Sequence, residues 1–121
     1  MKHPDSLILY VEDPAVSAAF YHGLFGAPIV EASPNFAMLA LAGGTMLGLW
    51  AQRDVSPAPS GGPGGLEIGV TVGSATDTDA AYAQAQALGA AIHQAPVTLD
   101  FGYTFVLQSP DGHLIRVFNP A

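Results

Sequence analysis

Gly26-Ala27-Pro28-Ile29-Val30-Glu31-Ala32 answers to Gly89-Ala90-Ala91-Ile92-His93-Gln94-Ala95, and the pairing of these two stretches decides the fold. Each follows an alanine-rich helical pattern, and each helix follows a short aliphatic run that reads as a strand. An internal repeat sets architecture, because each copy is one supersecondary unit. The duplication predicts two strand-helix-three-strand units in 121 residues, an α+β fold of two βαβββ modules with one site shared by both.

Working outward, residues 6–12 form a short apolar run and read as the first strand. Asp13 can cap the helix that follows, and Pro14 suits its first position, where a missing N–H costs nothing. Val16, Phe20 and Leu24 recur at helical spacing and predict its buried stripe, with Ala19 and Gly23 beside it. Gly26 supplies a left-handed stop. Strands are expected at about 27–32, 35–42 and 45–52, so module one spans about 6–52. Residues 53–65 shift to Pro, Gly, Ser and Ala and read as a linker. Module two, 66–118, opens with a strand at 66–72 and a helix at about 75–88, with Ser74 as cap and Asp77 and Asp79 in its first turn. Gly89 stops it. Strands follow at about 90–94, 102–109 and 113–118, the last two joined by the turn Ser109-Pro110-Asp111-Gly112. The whole chain, 1–121, reads as one domain.

Composition narrows the function. Half the residues are hydrophobic and 11% are charged, which describes a globular chain. A net charge of −7 with three Lys+Arg argues against nucleic acid and anionic membrane surfaces. A neutral or cationic small molecule suits that field. The absence of cysteine excludes thiol catalysis and thiolate metal sites. A polar beginning and the lack of a long apolar segment predict a cytoplasmic protein with no membrane span.

Alternation assigns faces to the strands. Leu7, Leu9, Val11, Leu47 and Leu49, with Ile68, Val70, Val72, Ile115 and Val117 in the second module, are aliphatic and belong under the helices. The opposite face carries Ser6, Ile8 and Tyr10; Met46, Gly48 and Trp50; Glu67, Gly69 and Thr71; Leu114, Arg116 and Phe118. Glycines leave room, aromatics stack and a few polar groups orient a guest, which is the mixture a ligand surface needs.

The chain resembles the vicinal oxygen chelate superfamily of glyoxalases, extradiol dioxygenases and bleomycin-resistance proteins. The resemblance rests on Val11-Glu12-Asp13 leading into Ala18-Ala19-Phe20-Tyr21 and Leu24-Phe25-Gly26, on Ala87-Leu88-Gly89-Ala90, and on Ser109-Pro110-Asp111-Gly112-His113. It implies two βαβββ modules whose sheets curve around a cavity, commonly in a homodimer. Metal-using relatives place His or Glu at four positions, which fall here on Ser6, Gly48, Glu67 and Arg116. Serine is a poor ligand, glycine has none to give, and arginine repels a cation, so the resemblance implies a lost metal site. Glu67 and Arg116 are expected to pair with each other, either to orient a ligand or as a plain structural salt bridge.

His3, His22, His93 and His113 share no ligand spacing and read as structural or solvated. Trp50 and its counterpart Phe118 read as ligand walls, with Tyr10, Phe36, Met38, Phe101 and Tyr103 as further ones. Asp100-Phe101-Gly102-Tyr103 resembles a loop that overhangs the pocket in drug-binding relatives, with Phe101 and Tyr103 reaching inward. Gly61-Gly62-Pro63-Gly64-Gly65 lacks the Lys-Ser/Thr of a phosphate loop, and no serine sits in a nucleophile-elbow pattern. The expectation is a metal- and cofactor-free binding protein that sequesters a planar aromatic compound, neutral or cationic, as antibiotic-resistance members of the family do. The rival is a metal-dependent glyoxalase-type lyase or dioxygenase. A third reading makes Glu67 a general base with a pKa raised by burial, a shift Arg116 would oppose.

Overall fold

The computed structural model describes residues 1–121 and divides into two compact units, Met1–Gly61 and Gly62–Ala121. In the first, strand β1 (Ser6–Val11) leads into helix α1 (Pro14–Phe25), and β2 (Ile29–Ala32), β3 (Phe36–Ala40) and β4 (Met46–Ala51) follow. In the second, β5 (Glu67–Thr71) leads into α2 (Ala75–Ala87), then β6 (Ala91–Leu99), β7 (Gly102–Gln108) and β8 (Leu114–Pro120). Each unit is one four-stranded sheet, ordered β1-β4-β3-β2 and β5-β8-β7-β6, in which the first and last strands run parallel and the rest antiparallel. This is the repeated βαβββ architecture that the sequence predicts.

The helix boundaries follow from local chemistry. Asp13 caps α1 by accepting from the Ala15 N–H at 3.0 Å, and Pro14 opens it. Gly26, at φ 68°, ends it and donates its N–H to the His22 carbonyl. Ser74 caps α2 through the Asp77 N–H at 3.1 Å. Of the two predicted first-turn acids only Asp77 lies there; Asp79 has another partner, described below.

The α1 stripe differs from expectation. Pro14, Ser17, Ala18 and Tyr21 are its buried residues, while Val16 is 51% exposed and Ala19 and Gly23 face solvent. Tyr21 accounts for the rotation: its fully buried ring lies 5.1 Å from Phe20 edge-on and stacks 5.8 Å from Phe25. A ring of that size removes more apolar surface from water than a valine does. The face under α1 is as predicted, with Leu9, Val11, Leu47 and Leu49 buried together with Ala37 and Leu39.

In the second unit Ile115, Val117, Phe105 and Leu107 are buried beneath α2, whose Tyr82 meets Phe105 edge-on at 5.3 Å. Strand β6 runs five residues beyond its predicted end. Its register breaks between Ile92 and Gln94 and again before Val97, so Pro96 sits in a strand without interrupting a ladder. An edge strand tolerates that, because one side has no hydrogen bonds to lose.

Candidate functional site

Strand register places the first unit's residues directly. Ser6 is opposite Met46, Ile8 opposite Gly48 and Tyr10 opposite Trp50; Phe36 is opposite Trp50 and Met38 opposite Gly48. Partners in register point to the same side, so Ser6, Tyr10, Phe36, Met38, Gly48 and Trp50 share the face away from α1. That face reaches solvent: Tyr10 is 41% exposed, and Phe36, Met38 and Trp50 are half-buried. Tyr10 and Trp50 meet edge-on at 6.3 Å. Gly48 is itself buried, under the Phe36 ring: a Cβ there would come 3.0 Å from Phe36 Cζ and 3.3 Å from Ile8 Cγ1. Any chelating side chain at position 48 would have to displace that ring.

The second unit's open face is built around Arg116. Its Nε donates to Glu67 Oε1 and Oε2 at 2.9 and 3.0 Å, and its Nη2 donates to Oε2 at 2.8 Å. Nη1 donates to Thr104 Oγ1 at 3.2 Å and to Gln94 Oε1 at 3.5 Å. The buried Thr104 in turn donates to the Val117 carbonyl at 2.9 Å. Phe101 covers the guanidinium with its ring centroid 5.5 Å from Cζ, and meets Phe118 edge-on at 5.7 Å. Glu67, Phe101, Arg116 and Phe118 thus form one array.

The hydrogen bonds from Arg116 outweigh burial and hold the Glu67 carboxyl below its ordinary 4.5; the charges of Arg116 and His93 add to the effect. A lowered pKa makes the carboxylate a weaker proton acceptor, the opposite of the burial-raised value that the general-base reading calls for. Glu67 also supplies one carboxylate whose two oxygens are taken by a cation, and no three His, Cys, Asp or Glu residues come together. These residues do not fit a divalent metal.

Tyr103 corrects the sequence reading. It pairs with Asn119 in β8, one residue out of phase with Phe118, and so lies on the α2 side. There its hydroxyl donates to Asp79 Oδ1 at 2.6 Å, and that bond holds its pKa above the usual 10.0. Phe101, 45% exposed, is on the open side as expected. Sequence reasoning missed Thr104, Gln94 and His93. Thr104 was legible as two residues before Val106, which is opposite Arg116 in β7; the other two were hidden by the register breaks in β6.

Two βαβββ units, each a four-stranded sheet with one helix, match the architecture of the glyoxalase fold. Residues 3–117 match the Glyoxalase/Bleomycin resistance protein/Dioxygenase superfamily, and the chain belongs to it. It is 26% identical over 117 residues to the phenazine antibiotic resistance protein EhpR of Enterobacter agglomerans, covering 94% of this chain and 89% of that one. Among solved structures it is similar to protein ATC0852 from Agrobacterium tumefaciens, determined in solution by NMR (42% identity, TM-score 0.91, 100% of this chain and 99% of that one). A glyoxalase/bleomycin resistance protein/dioxygenase family enzyme from Burkholderia phytofirmans PsJN shares the fold at 23% identity and TM-score 0.82, over 97% and 98% of the two chains.

Proposed function

We propose that this chain, as one domain over residues 1–121, binds a planar aromatic compound without a metal ion and protects by sequestration. The observation that carries the reading is the ion pair at positions 67 and 116, where the family's metal-using members hold ligands. A guanidinium beside the one carboxylate removes the donor set, and Gly48 beneath Phe36 leaves none at a third position. What remains on the open faces is stacking surface: Trp50, Tyr10 and Phe36 on one, Phe101 and Phe118 on the other, with Ser6, Met38, Gly48, Glu67 and Arg116 completing them. Each good aromatic contact is worth about 0.5–1.5 kcal/mol beyond burial. The similarity to a phenazine antibiotic resistance protein supports an antibiotic-like ligand.

No helix is long and apolar enough to cross a membrane, and we place the protein in the cytoplasm, as a homodimer formed through sheet edges across a two-fold. A monomer in sedimentation at micromolar concentration would remove the dimer. The function is tested by thermal-shift screening of phenazines and other planar antibiotics on chelator-treated protein. Selective stabilisation that survives chelation supports the reading. Stoichiometric metal, with binding lost on its removal, overturns it in favour of a metal-dependent lyase or dioxygenase.

A further inference from the structure

The chain has three Lys+Arg against a net charge of −7, so the disposition of each cation decides which ligands it can accept. Lys2 lies in the exposed segment ahead of β1. Arg53 donates to the Glu12 carbonyl at 3.2 Å and lies 3.8 Å from Asp54. Only Arg116 is on an open sheet face, and four of its five N–H groups are committed. One edge of the guanidinium meets both Glu67 oxygens, the other meets Thr104 and Gln94, and Phe101 covers a face. A bidentate fork for a ligand carboxylate needs two free parallel N–H groups, and the single N–H left on Nη2 cannot form one. Glu67, by contrast, keeps a partly exposed carboxylate, its side chain 39% accessible.

Resting on the sequestration reading, we propose that the Glu67–Arg116 pair sets the charge preference of this face: neutral and cationic planar aromatics are accepted and carboxylated ones refused. Glu67 acts twice, by occupying the guanidinium and by presenting its own negative charge to the guest. Glu67→Gln would undo both. An amide still accepts one hydrogen bond from Arg116, but it carries no charge and releases a donor edge.

The test compares three probes of one ring system, phenazine, N-methylphenazinium and phenazine-1-carboxylate, titrated calorimetrically into the intact protein at neutral pH. The expected order is cation, then neutral, then carboxylate, with the carboxylate at least about tenfold weaker than phenazine. In Glu67→Gln the ratio of cation to carboxylate affinity falls by at least about tenfold. A carboxylate that binds wild type as tightly as phenazine overturns the charge preference and leaves sequestration standing. So does a Glu67→Gln ratio equal to wild type. Failure of all three probes to bind overturns the sequestration reading itself, and this inference with it. The wild-type order is decisive even if a variant does not fold.

Discussion

At position 102 a methyl group would overlap the Asn119 carbonyl oxygen and come within 2.9 Å of its carbon, at a backbone φ of 150° that side chains rarely adopt. Gly102 therefore allows β7 to start against the end of β8, and Phe101 just before it is pinned by the Ala121 N–H on its carbonyl at 2.9 Å. Gly102→Ala is expected to lower unfolding free energy by about 2 kcal/mol or more in urea titrations. The two aromatics flanking that glycine should behave oppositely. Phe101→Ala weakens ligand binding, by about 0.5–2 kcal/mol for a lost stacking surface. Tyr103→Phe leaves binding unchanged, since its hydroxyl serves Asp79 on the helix side. Equal losses in calorimetric titrations of both variants would contradict the face assignment.

Among the elements, α1 shows where a sequence pattern stops being informative. Nearly every position from Val16 to Phe25 is apolar or small, so several stripes compete and spacing alone chooses none. The buried one includes a serine, which hydrophobicity discounts, and is fixed by the Tyr21 ring. Tyr21→Ala should cost about 3–5 kcal/mol, whereas Val16→Ser should stay within about 1 kcal/mol; thermal denaturation of both separates the two stripes. The strands were legible because Leu9–Val11 and Ile115–Val117 alternate against Tyr10, Glu12, Arg116 and Phe118, and a period of two then fixes the face. Parity failed in β6 because one bulged residue flips every later side chain, and sequence does not mark where a bulge falls. Tyr103 lies in the unbroken β7–β8 register with the parity of the buried Phe105 and Leu107, and differs from Phe101 because Phe101 belongs to the turn ahead of β7. The pairing of Glu67 with Arg116 was readable, since both lie on the open face of one unit, in its first and last strands. Its closure by Gln94 and Phe101 was not, because those partners come from a bulged edge and a turn.

For the whole molecule the charge pair gives a pH dependence of definite sign. Glu67 has a lowered pKa when folded, so its contribution is present above the unfolded carboxylate's value and fades as pH falls through the folded one. With both side chains partly solvated the pair is worth no more than about 1 kcal/mol. The stability gap between wild type and Glu67→Gln should therefore be largest near neutrality and close in acid; a gap that widens on acidification would contradict the pairing. Metal-free binding beside the aromatic face is tested most directly through Trp50, the one tryptophan. Its fluorescence is followed while phenazine is titrated into protein stripped and held in excess chelator. The account predicts saturable quenching with the same midpoint in chelator and in added divalent metal. Quenching that needs the metal, or calorimetric binding that leaves the indole unchanged, would contradict it.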